Sequence, residues 1–162
     1  MTGPLTADVR AAAERSVLCW FATADASGQP NVTPKEVFAI VDDDHLVIAN
    51  IASPGSAANV AANPRVCVSF VDVFVQKGFK VVGVASDVAP SDPAFARWVA
   101  PLRALAGERF PIRSVFVVRA TEVEAIVAPS YWLFPNETTE ASQERAALRA
   151  YGVVRVADGT DA

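Results

Sequence analysis

Cysteine and histidine are nearly missing from this sequence, which leaves little material for a metal centre or a thiol-based site. The 162 residues include two cysteines and one histidine, and no Cys-x-x-Cys motif occurs. Cys19 and Cys67 both lie in apolar, strand-like runs, so we expect small buried hydrophobic residues rather than zinc ligands or a disulfide. His45 follows three aspartates, but the glycine and glutamate spacings of a calcium-binding loop are missing, so we expect a solvated turn.

Clustered basic residues, long apolar runs and a nucleotide-binding fingerprint are also missing. The 14 lysines and arginines are scattered and outnumbered by 18 acidic residues, which argues against a nucleic-acid partner. No apolar run approaches the roughly 20 residues that cross a bilayer. Residues 1–10 contain no signal-peptide core, so we expect a cytoplasmic protein without a membrane partner. The Gly-x-Gly-x-x-Gly motif of Rossmann domains does not occur.

Apolar residues, in contrast, are abundant. They make up 52% of the sequence, and the mean hydropathy is +0.28. The length suits one domain with a real core and is short for two. The surplus apolar surface must therefore be buried, and we expect both a large core and a subunit interface.

The alternation of apolar and polar residues predicts six strands, connected mostly by hairpins, with helices between them. This pattern is typical of a mainly β (α+β) fold, a closed or partly closed antiparallel barrel with peripheral helices. Pro34 interrupts the second strand and should lie at an edge or a bulge. The predicted strands are 17–24, 31–41, 46–51, 66–75, 79–85 and 114–127, the predicted helices are 6–16, 54–62, 90–106 and 137–151, and 129–135 is expected to be irregular.

The segment 50–64 is the most informative stretch of the chain. It follows one apolar strand and precedes another, and Ser53 and Pro54 stand where a helix prefers its N-cap and its first residue. The start of such a helix presents free backbone N–H groups, here beside the hydroxyls of Ser53 and Ser56 near the surface, and this arrangement suits a phosphate. The alternative is that Ser53 simply caps a connecting helix.

Four motifs in this order resemble the pyridoxamine 5′-phosphate oxidase-like FMN-binding split-barrel family, over Ser16 to Val127. The resemblance implies a single domain over 1–162: a six-stranded antiparallel split β-barrel, with a core at about 16–127 and a C-terminal helical segment at about 129–152. It also implies a homodimer with two FMN sites at the interface. The motifs are Leu-Cys-Trp-Phe-Ala-Thr-Ala-Asp, Asn-Val-Thr-Pro-Lys-Glu-Val-Phe, Ser-Pro-Gly-Ser-Ala-Ala-Asn-Val-Ala-Ala-Asn-Pro-Arg-Val and Gly-Phe-Lys-Val-Val-Gly-Val-Ala.

The resemblance also implies where the FMN phosphate is held. The family uses the start of the helix after the third strand, which corresponds to Ser53 and Ser56 here, with Asn59 as the helix asparagine. The chain departs from the family at Ser56, where a lysine or arginine is usual. A cation from elsewhere would then be needed, and Lys35 and Lys77 are the candidates.

The flavin ring of the family lies against the second strand, which implies contacts with residues of 33–37. Lys35 would face the ring edge or the phosphate; alternatively, Lys35 and Glu36 alternate and both reach solvent. Lys77 would contact FMN from the partner subunit or belong to a hairpin turn, and Trp132 would stack on the ring or pack in the interface. Trp20 and Cys67 are expected in the core. The predicted cofactor-binding residues are Thr33, Lys35, Glu36, Val37, Asn50, Ser53, Ser56, Asn59, Lys77 and Trp132.

The function that follows is an FMN-dependent oxidoreductase acting on an unknown small molecule. Pyridoxamine phosphate is not favoured as the substrate, because Arg109 and Arg113 are the nearest candidates for a second phosphate clamp and should lie in a loop. A non-catalytic flavin carrier or sensor is one alternative. Binding of F420 or haem on the same barrel is another.

Overall fold

A computed structural model of the chain describes residues 3–107 and 110–156. Seven strands and five helices follow one another within these ranges. The strands are β1 (Cys19–Ala24), β2 (Pro30–Lys35), β3 (Phe38–Ile40), β4 (His45–Asn50), β5 (Arg65–Asp72), β6 (Lys77–Val88) and β7 (Ser114–Val127), and the helices are α1 (Ala7–Arg15), α2 (Pro54–Ala62), α3 (Phe95–Ala106), α4 (Ser130–Leu133) and α5 (Glu140–Tyr151).

The strands form one antiparallel sheet in the order β2-β1-β5-β6-β7-β4-β3. The predicted antiparallel split barrel with peripheral helices is confirmed, but it has seven strands rather than six. The predicted strand 31–41 bends at Glu36 and Val37, and its two halves pair with opposite ends of the sheet. A two-residue connection spans only about 10 Å, so the sheet must curl until its two edges meet. Pro34 lies on an edge strand, as predicted.

The hairpin between β5 and β6 lies earlier than predicted. Strand β5 ends at Asp72, whose carboxylate accepts hydrogen bonds from the N–H groups of Phe74 (3.0 Å) and Val75 (3.4 Å), so the chain turns at once. Lys77 and Gly78 were expected in this turn but begin β6 instead. Gly78 is needed for packing, because a Cβ there would lie 2.0 Å from a backbone oxygen of the neighbouring strand.

The C-terminal segment is more regular than expected. Helix α4 forms within the predicted irregular stretch 129–135. Helix α5 begins at Glu140 because Thr139 and Ser142 form a capping box, and it ends at Gly152 in the left-handed conformation, as predicted. Residues 153–156 have no regular structure, and the rest of the predicted frayed tail lies outside the described residues.

The core occupies both faces of the curled sheet. Inside the barrel, Phe21 packs on Phe116 with ring centroids 5.0 Å apart. A second cluster lies between α3 and the outer faces of β4 and β7. Trp20 was expected in the core but is 46% exposed, because alternation along β1 turns Cys19 and Phe21 inward and Trp20 outward. Cys67, which is opposite Ala22 in the ladder between β1 and β5, was also expected in the core but is only half-buried.

The described residues offer little for other classes of site. No helix among them is long and apolar enough to span a membrane, and no cluster of His, Cys, Asp and Glu within 3–107 and 110–156 is arranged to hold a metal ion. His45 begins β4, with its Nδ1 2.8 Å from the Asp42 carboxylate. Burial raises the pKa of the Cys19 thiol to about 12, which keeps it neutral.

The packing of Gly78 gives a stability prediction. Gly78→Ala should destabilise the protein by about 2 kcal/mol, because the added methyl group has no room beside β5. Gly55→Ala is the matched control: it lies in the first turn of α2 with open space at its Cβ, and alanine there should be neutral or slightly stabilising. Urea unfolding of both variants measures the difference, and equal effects would contradict the packing role.

Candidate functional site

The start of α2 meets β2 and β4 through Ser53. Ser53 occupies the N-cap and Pro54 the first helical position, as predicted, but the Ser53 side chain accepts no hydrogen bond from the helix backbone. The Lys35 Nζ donates to the Ser53 hydroxyl instead, so simple side-chain capping is not its role. The backbone N–H groups of Gly55 and Ser56 lie in the first turn, where a helix supplies no acceptor.

Lys35 is a buried cation beside this helix start. It lies on β2 and is only 9% exposed. The alternative in which both charges reach solvent is therefore wrong for Lys35, although it holds for Glu36, which is exposed. Burial lowers the pKa of Lys35 because it removes the ammonium group from water. Among the described residues, no carboxylate pairs with Lys35. A buried cation without an acidic partner is complementary to an anionic ligand.

Ser56 faces the sheet rather than the surface. It is 1% exposed, and its hydroxyl accepts a hydrogen bond from the Asn31 Nδ2 (3.4 Å) and lies 3.3 Å from the Thr33 Oγ1. The expectation of a surface hydroxyl is therefore wrong for Ser56, although the residue does lie at the helix start. Its contacts hold α2 against β2, while the half-buried Thr33 and Ser53 present the more accessible hydroxyls.

Thr23 and Asn31 belong to this polar cluster but were not predicted. The Thr23 Oγ1 accepts hydrogen bonds from the Nδ2 of Asn31 (3.2 Å) and of Asn59 (3.0 Å). Thr23 and Asn31 are opposite each other in the ladder between β1 and β2. The sequence contains only a weak signal, since a threonine inside an apolar strand is ordinary and Asn31 is simply the first residue after a turn-forming proline.

Asn50 supports the chain as it leaves β4. It is buried, its Nδ2 donates to the Ser114 hydroxyl (2.9 Å), and its Oδ1 accepts from the Ser53 backbone N–H (3.1 Å). Asn50 thus holds the backbone of Ser53 in place at the end of β4. No buried side-chain nitrogen or oxygen in the described parts of the chain is left without a partner.

A cavity of about 220 Å³ opens beside Lys35. The bend after β2 and the residues following β4 form its walls, so most of the predicted ring-binding strand, from 34 to 37, lines it. Its floor is largely apolar, with Glu36 as a charged group in its wall. The lining residues are Pro34, Lys35, Glu36, Val37, Ala49, Ile51, Ala52 and Phe110.

Two predicted site residues lie elsewhere in the chain. The Lys77 Nζ is 2.8 Å from the Glu140 carboxylate and 4.4 Å from the centre of the Tyr131 ring. Trp132 is 65% exposed on α4. Neither residue contacts the start of α2 in the described chain, so their roles toward a cofactor remain predictions that require a second subunit. Arg113 lies in the loop before β7, as expected, and Arg109 lies outside the described residues.

Comparison with known proteins agrees with this architecture. The family model for pyridoxamine 5′-phosphate oxidase matches residues 5–127, whereas no curated protein matches the chain. Three similar solved structures are of proteins named for different cofactors. An FMN-binding protein from Syntrophomonas wolfei subsp. wolfei has a TM-score of 0.62 at 16% identity, covering 72% of this chain and 82% of its own.

The other two are a haem storage protein and an F420 reductase. HutZ, the haem storage protein from Vibrio cholerae, has a TM-score of 0.60 at 18% identity and covers 76% of this chain and 94% of its own. The F420 reductase has a TM-score of 0.56 at 25% identity and covers 74% and 98%. One fold therefore accompanies three named cofactors, so the cofactor must be argued from the residues of the site.

The buried cation gives a prediction for the protein without ligand. Lys35→Met should stabilise it at pH 7 by about 1 kcal/mol, because a buried charge without an acidic partner is replaced by an apolar side chain of similar length. The pKa of Lys35 is lower in the folded protein than in the unfolded chain. Between these two pKa values the unfolded chain holds the extra proton, so the wild type gains stability as pH rises and the advantage of Lys35→Met shrinks.

Urea unfolding at pH 7 and pH 10 measures this effect. Lys77→Met is the matched control: its hydrogen bond to Glu140 raises the pKa of Lys77 above the ordinary value of 10.5, so the stability that the lysine adds is present at both pH values and fades only above them. Strong destabilisation by Lys35→Met at pH 7 would show that the cation serves the fold.

Proposed function

The chain belongs to the pyridoxamine 5′-phosphate oxidase family, and from this premise we propose that it binds FMN and acts as a flavin-dependent oxidoreductase on a small molecule. The observation that carries this proposal is the buried ammonium group of Lys35 at the start of α2. When bound, FMN supplies the exchange of electrons or hydride, and the protein supplies position, electrostatics and exclusion of water.

The donors at this helix start suit the FMN phosphate. Lys35 contributes a cation, Ser53 a hydroxyl, and the first turn of α2 contributes backbone N–H groups, all of which favour an anion. Lys35 thereby replaces the basic residue that relatives carry at the position of Ser56. A charge-assisted hydrogen bond is about twice as strong as a neutral one. The charge of Lys35 therefore compensates for the absence of a cation at position 56.

The adjoining cavity suits the isoalloxazine ring. Its apolar floor includes Val37, Ile51 and Phe110, and an aromatic ring system gains from such contact. Glu36 in the cavity wall is an acceptor for a polar ring edge. Lys35 borders both the cavity and the helix start, so one residue would contact the phosphate end while its strand supports the ring.

Haem is disfavoured as the occupant. Haem iron takes an axial ligand such as histidine, and the only histidine of the sequence, His45, is engaged by Asp42 and packs beside Trp98 with ring centroids 5.2 Å apart, away from the cavity. F420 remains the alternative cofactor, and a flavin carrier without turnover remains the alternative activity. The absorption spectrum of the purified protein separates the cofactors, and rapid reduction of the loaded protein by NAD(P)H would exclude a passive carrier.

The role of Lys35 gives a binding prediction. Lys35→Met should weaken FMN binding about 10- to 100-fold, because a charged hydrogen bond to phosphate is lost. Riboflavin, which has the same ring without the phosphate, should bind the variant and the wild type equally. Flavin fluorescence titration measures both affinities, and Lys80→Met, a surface lysine paired with Glu124, is the matched control.

Two results would contradict the proposal. A wild-type protein that binds FMN no more tightly than riboflavin would have no phosphate site. A protein that stays colourless in excess FMN would have no flavin site at all.

We also propose that the protein is a homodimer. The C-terminal segment exposes large apolar side chains that a second copy would cover, including Trp132, Leu133 and Phe134. Light scattering should therefore give a mass of about twice 17.1 kDa.

If Trp132 stacks on the ring in a neighbouring site, Trp132→Ala should weaken the binding of FMN and of riboflavin alike, unlike Lys35→Met. A monomer that binds FMN tightly would overturn the shared site.

A further inference from the structure

We propose that Thr23 is a positioning residue that sets the direction in which the start of α2 presents its donors to the phosphate of the bound cofactor. This inference rests on the proposed function, since it assumes that a phosphate binds there. Thr23 lies on β1 and is 4% exposed, so it does not itself face a ligand. Its effect must pass through the residues that it contacts.

The hydroxyl of Thr23 joins three elements at one atom. The Thr23 Oγ1 accepts hydrogen bonds from Asn31, at the start of β2, and from Asn59, on α2. Asn59 and Ser56 are three residues apart and therefore share one face of the helix. The strand pair and the helix thus meet at one buried oxygen, in addition to the contacts of Ser56 with β2.

The hydrogen-bond inventory explains why this oxygen matters. A hydroxyl oxygen has two acceptor positions, and the two asparagine amides fill both on Thr23. The second amide proton of Asn31 goes to Ser56. Ser56 and Thr33 share one further bond, and whichever of the two donates, one hydroxyl proton of the pair remains to be donated elsewhere. The network therefore supplies a donor whose position follows from the Asn31 amide, which Thr23 holds in turn.

Loss of the Thr23 hydroxyl would release this arrangement without removing any phosphate ligand. The amides of Asn31 and Asn59 would lose their shared acceptor, and α2 would lose the polar contact with β1 that Asn59 makes shortly after the first turn. The backbone N–H groups of that turn move with the helix, so a small rotation of α2 changes the direction in which they point. Binding of a phosphate should suffer, whereas contacts with a ring in the cavity beside Lys35 should not.

The experiment compares three threonine variants of the full chain. Thr23→Val keeps the shape and removes the hydroxyl, Thr23→Ser restores the hydroxyl, and Thr121→Val is the matched control, because its hydroxyl donates to a backbone oxygen (3.1 Å) far along the sheet. Fluorescence titration gives the affinity of each for FMN and for riboflavin, and thermal unfolding is recorded without ligand.

Thr23→Val should weaken FMN binding about 10-fold and change riboflavin binding by less than about twofold. Thr23→Ser should bind FMN within about twofold of the wild type, and Thr121→Val should leave both affinities unchanged. Equal loss of FMN and riboflavin affinity in Thr23→Val would overturn the inference, since this result indicates general damage. Unchanged FMN affinity would overturn it as well.

A second variant covers the case in which Thr23→Val fails to fold. Asn59→Ala removes one of the two donors on the more exposed side of the junction, and it should give the same selective loss of FMN affinity. Unchanged affinity for both ligands, or an equal loss of affinity for both, would overturn the inference. If the wild type prefers FMN over riboflavin and only the Thr23 and Asn59 results disagree, the positioning role fails while the phosphate site stands. If the wild type shows no such preference, both fail.

Discussion

The site depends on a cation that the fold holds out of water. Lys35 lies under the start of α2, bonded to Ser53 and without an acidic partner in the described chain. Burying an ammonium group in this way costs free energy, and a stable fold gains nothing obvious from it. The arrangement is understandable if the protein keeps the charge for an anion that arrives later. Strain of this kind, carried by the free protein and relieved by its ligand, is common at binding sites.

The same segment that carries Lys35 also closes the barrel. Strands β2 and β3 pair with opposite ends of the sheet, and the bend at Glu36 and Val37 joins them. The Val37 carbonyl oxygen accepts a hydrogen bond from the Ala49 N–H (2.9 Å), which fixes the bend onto β4. The cavity beside Lys35 lies along this bend. The geometry of the site is therefore a direct result of how a seven-stranded sheet curls until its edges meet.

The sequence was sufficient for the fold class and for most of the residues around the helix start. Period-two patterns predict strands well, and the Ser53–Pro54 pair marked where α2 begins. The split of the second strand was missed, because the bend follows from closure of the sheet and not from a local breaker. The burial of Ser56 was missed as well, because a helix of nine residues, four of them alanine, gives little information about which side faces the sheet.

The junction at Thr23 was missed for a different reason: a threonine in an apolar strand is ordinary, and only its partners from two other elements make it informative. The double use of the β2–β3 segment has a further consequence. Because one stretch of backbone both closes the barrel and forms a wall of the cavity beside Lys35, occupancy of the cavity and closure of the barrel are linked equilibria. Occupancy should therefore slow amide exchange in the segment that joins β2 to β3. A cofactor bound there would stabilise the closed barrel in addition to its part in the reaction.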